Sequence, residues 1–323
     1  MFDTPVVFFI FNRPAFTETT LAQIAKARPK RLLVIADGPR WPSEAAKCLE
    51  TRAVIDKVDW DCEILKNYSE TNLGNRRRGS SGLDWVFSEV EEAIIIEDDT
   101  VPDPSLFLYC QQLLDRYRDD DRVMHIGSAN FQRGHNQTPY SYYFSRITHC
   151  WAWATWRRAW KHFDVNMTTW PQNREMIANS YDDPIERAHF LDIFDQAYEN
   201  RVDTWDYQWL YCCLMQTGLG ITPNTNLVTN IGWGPESTHN KVEDHPGAYV
   251  PAADIGELRH PPDVMVHRAA DLYTFDHVWG FSSARQAVLP APPEPAREPG
   301  RITSLTNRMV ESFKYRVIRG GRN

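Results

Sequence analysis

Apolar and polar positions alternate in blocks over the first third of the chain. Val6-Val7-Phe8-Phe9-Ile10-Phe11 is an unbroken apolar run, the pattern of a strand buried on both faces. Asn12-Arg13-Pro14 ends it, and Thr17 to Ala27 reads as a helix. Arg31 to Ala36 is a second strand, closed by Asp37-Gly38-Pro39. Ser43 to Val58 reads as a second helix with Ser43 as N-cap. Cys62 to Leu65 is a weaker third strand. Asn72 to Val90 holds a third helix, with Leu83, Val86, Phe87 and Val90 at helical spacing. Ala93 to Ile96 is a fourth strand, and it runs directly into Glu97-Asp98-Asp99. Strand-helix pairs in this order predict an α/β fold with a parallel, Rossmann-like sheet. Right-handed crossovers put the strand ends on one edge. Arg13, Asp37 and Glu97 to Asp99 are then expected to meet there, where open α/β sheets bind ligands.

Past the acids, Asp103-Pro104 reads as N-cap and N1 of a helix with an apolar side of Phe107, Cys110, Leu114 and Tyr117. Arg122 to Ile126 reads as a strand. The second half is rich in tryptophan. Trp153, Trp156 and Trp160 are spaced as one helical face, and an aromatic core is the expectation for most of this group. The segment 286–300 is a Pro-rich linker. In 301–323, six basic residues accompany Glu311 alone, a local charge of +5 in a chain of net charge -8. Ile302, Leu305, Met309, Phe313 and Val317 space the basic residues helically. Such a tail either lies on an anionic membrane surface or docks on the protein body.

Composition narrows the function classes. The chain has 323 residues and a net charge of -8, which argues against nucleic acid as the partner. Its six cysteines form no Cys-x-x-Cys pair, a pattern that fits a reducing compartment. The first residues lack a basic n-region, and the run Val6 to Phe11 is too short for a signal or a span. The expectation is a soluble cytoplasmic protein, peripheral at the inner membrane face if the tail binds lipid.

The chemistry starts from the acids. Three adjacent carboxylates after a buried strand repel each other and resist desolvation, so a positive partner belongs beside them. A hard divalent cation is one candidate, and with it a diphosphate, because the metal bridges carboxylate and phosphate oxygens. Arg13 and Arg76-Arg77-Arg78 offer further phosphate contacts. Asp37 can accept hydrogen bonds from a base or ribose.

Taken in order, these stretches resemble a GT-A-fold glycosyltransferase that uses a nucleotide-sugar. The chain is most similar to a bacterial group related to glycosyltransferase family 2, and more distantly to N-acetylglucosaminyltransferase I. The resemblance rests on Phe11-Asn12-Arg13-Pro14, Asp37-Gly38, Asn72-Leu73-Gly74 with Arg78-Gly79, Glu97-Asp98-Asp99 and Pro104-Ser105-Leu106-Phe107. It continues through His149 to Trp156, Trp205-Asp206-Tyr207-Gln208-Trp209 and Asn230 to His239.

The resemblance implies an α/β GT-A domain over 1–285, with a mixed, mainly parallel sheet flanked by helices, a donor half (1–130) and an acceptor half (131–285). Glu97-Asp98-Asp99 takes the place of the Asp-x-Asp motif. Asp99 would bind Mn²⁺ or Mg²⁺, with His239 as a further ligand. Arg13, Asp37, Arg78, Glu97 and Asp98 would hold the donor, with a UDP-sugar favoured. Asp206 would be the catalytic base of an inverting single displacement onto a saccharide or glycolipid acceptor in polysaccharide synthesis. One extra residue separates Trp205 from Trp209 relative to the animal pattern, so Asp203 stays open as the functional acid. Two competing readings are a sugar-1-phosphate nucleotidyltransferase and a non-catalytic carbohydrate-binding protein. The first would want a glycine-rich loop where Asn12-Arg13-Pro14-Ala15 stands.

Overall fold

The computed structural model describes residues 2–135, 138–233 and 249–281. His239, the linker and the basic tail lie outside them.

Strands β1 (Val6–Ile10), β2 (Arg31–Ala36), β3 (Glu63–Tyr68) and β4 (Glu92–Glu97) form the parallel half of one eight-stranded sheet. Helices α1 (Pro14–Ala27), α2 (Ala45–Ala53) and α3 (Gly74–Glu89) connect them. A short strand β5 (Thr100–Pro102) and helix α4 (Ser105–Arg116) follow the acids. The other half comprises β6 (Val123–Ile126), β7 (Tyr142–Ser145), β8 (Trp153–Trp156) and, later, β9 (Leu219–Pro223). Helices α5 (Arg157–Trp160), α6 (Trp170–Asn179), α7 (Pro184–Tyr198) and α8 (Asp206–Met215) stand between β8 and β9. Strand β10 (Val228–Asn230) pairs antiparallel with β5, and α9 (Arg268–Val278) closes the described chain. The strand order is β3-β2-β1-β4-β8-β6-β9-β7, with β8 and β7 antiparallel to their neighbours. The expected mixed, mainly parallel α/β sheet is present.

The period-2 alternation of the strands separates two cores. Val6, Phe8, Leu32, Val34, Ile94 and Ile96 face one side, against Leu21 and Ile24 of α1 and Leu106 to Leu114 of α4. Val7, Leu33, Ile35 and Ile95 face the other, against Leu83, Val86 and Phe87 of α3. Trp153, Trp160, Trp205 and Trp209 extend that second core. A third cluster joins α6 to α9 through Trp170, Phe190, Phe194, Tyr211 and Phe275.

Several local expectations change. Trp153 and Trp156 stand on strand β8 and only Trp160 on a helix, so the three share no helical face. The segment from Trp153 to Trp156 is buried throughout, between β4 and β6, which removes the alternation that would mark a strand. Ser43 caps nothing: it lies inside a 3-10 turn, Pro42–Glu44, and α2 starts at Ala45. Helix α4 starts at Ser105, one residue later than Pro104 at N1 would require, and Asp103 Oδ1 accepts from the Ser105 amide at 2.8 Å. The third strand starts after Cys62, at Glu63. No helix among the described residues is long and apolar enough to cross a membrane.

Gly79 ties the two halves together. It lies in α3 under Trp205, and a Cβ there would overlap the indole. Gly79→Ala should therefore lower stability by about 1–3 kcal/mol through overpacking, read as a lower midpoint in urea unfolding. An unchanged midpoint would mean that the contact between α3 and Trp205 is slack.

Candidate active site

β1, β2 and β4 all end at one edge, and their following residues border a cleft of about 490 Å³. Arg13, Asp37, Arg78, Glu97, Asp98, Asp99 and Asp206 all line it. Every sequence-derived site residue within the described chain is therefore brought together. His239 lies outside the described residues.

The positive partner of the acids is Arg13. Its Nη1 donates to Asp99 Oδ2 at 2.9 Å, and its Nη2 pairs with Asp98 Oδ1. α1 starts at Pro14, with proline in the first turn where its missing amide costs nothing. The Thr17 amide and hydroxyl both donate to the Arg13 carbonyl at 3.0 Å. From the next turn, Thr20 Oγ1 donates to the Asp98 carbonyl at 2.8 Å, so one helix positions both sides of the ion pair. Burial works against the charge on Arg13, but Asp98 and Asp99 together raise its pKa.

The acids remain crowded. With all three ionised, Glu97, Asp98, Asp99 and Arg13 sum to a formal charge of -2. Burial, reinforced by Asp99 and Asp98, pushes Glu97 up to about 8. Burial pushes Asp98 up to about 7 even though Arg13 opposes it. Asp98 Oδ2 and Asp99 Oδ1 are buried and without a hydrogen-bond partner. Two hard, unpartnered oxygens at a site short of positive charge fit Mg²⁺ or Mn²⁺, which take oxygen ligands and complete their shells with water or phosphate. No group of three or more His, Cys, Asp or Glu side chains converges as a metal cage among the described residues. The backbone presses close on the same carboxylate. The Ile231 amide donates to the Asp99 carbonyl at 2.8 Å, and a Cβ on Gly232 would overlap Asp99 Oδ2.

Asp37 departs from its expected role. Its Oδ1 accepts from the Gly38 and Leu73 amides, and its Oδ2 from Asn72 Nδ2 and the Gly74 amide, at 2.9 to 3.2 Å. Its lone pairs thus fold the loop that opens α3, leaving little for a base. Arg78 borders the cleft, with its Nη2 held by the Asn67 side chain at 2.7 Å and by the Asn67 carbonyl. Burial lowers its pKa and Asp37 opposes the shift. Arg76 turns away: it donates to the Ala197 carbonyl at 3.1 Å, to Asn200 and to the Val165 carbonyl. It braces α7 against α3 and is no phosphate ligand.

Asp203 and Asp206 separate cleanly. Both Asp203 oxygens cap α3, accepting from the Asn75 and Arg76 amides at 2.9 Å each. Asp206 opens α8. Its Oδ1 accepts from Thr204 Oγ1 and from the Tyr207 amide at 3.0 Å, while Oδ2 has no partner among the described residues. Trp205 and Trp209 flank it and pack on Trp153 with ring centroids 5.6 and 5.7 Å apart. Trp209 Nε1 donates to His125 Nδ1 at 3.2 Å, and burial lowers His125 to about 3, so that ring is a neutral strut. His149 and His189 are lowered by burial to about 4 and are likewise neutral.

Cys150, Trp151 and Thr204 line the cleft as well, and residue-by-residue reading did not single them out. Cys150 and Trp151 belong to the His149 to Trp156 stretch, and Thr204 immediately precedes the Trp205 to Trp209 stretch; no other sequence signal marks them.

No family model matches this sequence, and no curated protein does. Among solved structures, a segment of S. aureus TarS matches at 11% identity and a TM-score of 0.37, over 50% of this chain and 49% of its own. The chain thus spans about half the length of that structure. An active-site mutant of LgtC matches at 12% identity and a TM-score of 0.38, over 90% of this chain and 98% of its own. Both are glycosyltransferases. At TM-scores this low neither likeness bears on the chemistry, which rests on the site's own residues.

A carboxyl group held above its unfolded pKa stabilises the fold only while protonated. For Glu97 that contribution is complete below its ordinary value of 4.5 and is lost as pH rises through about 8. In chelator, wild-type stability should fall across this range, and Glu97→Gln should flatten the fall. Parallel losses in the two proteins, measured as urea midpoints, would show that Glu97 is not held protonated.

Proposed function

We propose that this chain is a glycosyltransferase that moves a sugar from a nucleoside diphosphate-sugar to a saccharide or glycolipid acceptor. The observation that carries this reading is the pairing across one cleft. Arg13, Asp98 and Asp99 form a charged floor at the strand ends, and Asp206 offers an open carboxylate oxygen at a helix start. A UDP-sugar is the favoured donor.

The acceptor hydroxyl oxygen attacks the anomeric carbon while Asp206 Oδ2 takes its proton. The bond from that carbon to the diphosphate oxygen breaks, the electron pair leaves with the diphosphate, and the anomeric configuration inverts. Arg13 and Arg78 provide positive charge where the diphosphate gains negative charge. The Asp203 cap and Gly79 hold α3 against Trp205, which fixes Asp206. A divalent cation held by Asp98 and Asp99 would supply the remaining charge neutralisation on the leaving group.

The competing readings gain little from these residues. The loop after β1 holds Arg13 in place of glycine, which does not suit the nucleotidyltransferase reading. Trp153, Trp156, Trp160, Trp170, Trp205 and Trp209 are buried and so are core, which leaves Trp151, half-buried at the cleft, as the indole of that stretch able to meet a sugar.

Calorimetry against UDP-, GDP- and dTDP-sugars, with and without Mn²⁺, should find one donor that binds with metal. Binding of none would sink the transferase reading. Asp99→Asn should abolish the metal-dependent part of that binding, and survival of that part would remove Asp99 as ligand. Asp206→Asn should keep donor affinity and lose about 10²–10⁴-fold in turnover. Retained turnover would move the base elsewhere.

The basic segment 301–323 lies outside the described residues. We take it as a contact with an anionic membrane surface, where each basic residue contributes about 1 kcal/mol. Deletion after Pro299 should release the protein from phosphatidylserine vesicles in a flotation assay. Unchanged flotation would place the contact elsewhere.

A further inference from the structure

A second cavity, also about 490 Å³, opens at the far end of the same sheet edge. β6 and β9 run parallel to β4, and β7 starts where β9 ends, so this cavity opens on the edge that carries Arg13 and Asp99. β4 and β9 are three strand positions apart, which at sheet spacing separates the two sites by roughly 15 Å.

The walls are built and cross-braced. The Asn224 amide donates to the Ser141 carbonyl at 2.8 Å, and Asn224 Nδ2 donates to the carbonyls of Thr138, at 2.9 Å, and Tyr140. The Ser141 amide donates to the Arg259 carbonyl at 2.8 Å, and the Arg259 amide returns a bond to Ser141 Oγ at 2.8 Å. What these bonds leave over is chemically informative. The Arg259 guanidinium is exposed and has no hydrogen bond or ion pair among the described residues. The Tyr140 phenol and the Thr225 hydroxyl are also without partners among them. Pro139 and Ile255 are the main apolar lining.

We propose that this cavity binds a saccharide unit carrying one anionic group. Its volume lies within the range of small-molecule sites, about 300–1,000 Å³. Hydroxyl groups and an aromatic face suit a polyhydroxylated ring, and a lone unpaired guanidinium suits a single carboxylate or phosphate. An apolar ligand would find too little apolar wall, and a nucleic acid would need more than one cation. Assigning this unit to a distal stretch of the acceptor rests on the transferase reading; the binding site itself does not.

The test is an NMR titration of the full chain with tetragalacturonate, glucose 6-phosphate, neutral maltotetraose and inorganic phosphate. At least one acidic sugar should shift the amides of Tyr140, Ser141, Thr225 and Arg259, and should bind about tenfold more tightly than maltotetraose or phosphate. The acidic sugar that binds identifies carboxylate or phosphate as the source of the charge. Arg259→Gln should weaken that sugar by about tenfold with the rest of the spectrum unchanged. Absence of shifts at these amides overturns the proposal. So does equal binding by Arg259→Gln, by maltotetraose, or by inorganic phosphate alone. Nucleotide-sugars report on Asn72 and Gly74 in the other cleft. Silence there with binding here would sink the transferase reading and leave this site standing.

Discussion

The guanidinium of Arg13 between Asp98 and Asp99 is the contact on which the rest of the molecule depends. Three carboxylates cannot sit together at the end of a buried strand without a counter-charge. Bringing Arg13 there requires β1 beside β4, and that adjacency sets the parallel half of the sheet. Proline at position 14 lets α1 begin at once, so its first two turns hold Arg13 and the Asp98 carbonyl in one frame. Removal of one partner of such a pair leaves an uncompensated buried charge, costing several kcal/mol, about 3–5. The pair is nevertheless incomplete. It leaves one oxygen of each aspartate unpartnered, and so it closes the fold without closing the site.

The second half of the chain serves a different end, which is to hold one helix start opposite that floor. Trp153, Trp160, Trp205 and Trp209 form a slab between the sheet and α8, with Phe163 stacked on Trp160 at 4.1 Å. Aromatic rings bury large areas and lose little conformational entropy, so a slab of four indoles makes a stiff mount. Gly79 lets α3 approach that slab, and His125 pins Trp209 from behind. Asp206 thereby inherits its position from core packing, although it borders solvent.

Much of the first half was legible because its signals are local and mutually consistent. Short apolar runs such as Leu32 to Ile35 and the β-branched Ile94 to Ile96, set between strong turn residues, read as buried strands. Parallel connectivity then places Arg13, Asp37 and Glu97 together without further information. What could not be read was the allocation of lone pairs. Asp37 looks like an open acceptor until the Leu73 and Gly74 amides are seen to occupy it. Arg76 and Arg78 are two residues apart in one basic run, yet a helix turn sends the first into α7 and the second to the cleft. The strand at Trp153 was hidden for a related reason. A strand buried on both faces shows no alternation, and tryptophans three and four residues apart imitate a helix stripe.

The same allocation distinguishes Asp203 from Asp206 as candidates for the proposed base, which sequence left open. Both lie beside Trp205, and both are acids near a helix start. Asp203 spends both oxygens on the first amides of α3, where the helix N-terminus favours a negative charge. A proton arriving there would have to displace a cap. Asp206 spends one oxygen on Thr204 and the Tyr207 amide and keeps the other open to the cleft. A base needs this combination: one oxygen fixed so that the carboxylate cannot swing, and one free to receive. Glu97, across the same cleft and pushed toward its protonated form, lacks the charge for that task near neutral pH. Under the proposed transfer reaction, Glu97 is thus left as a donor contact and Asp206 as the proton acceptor.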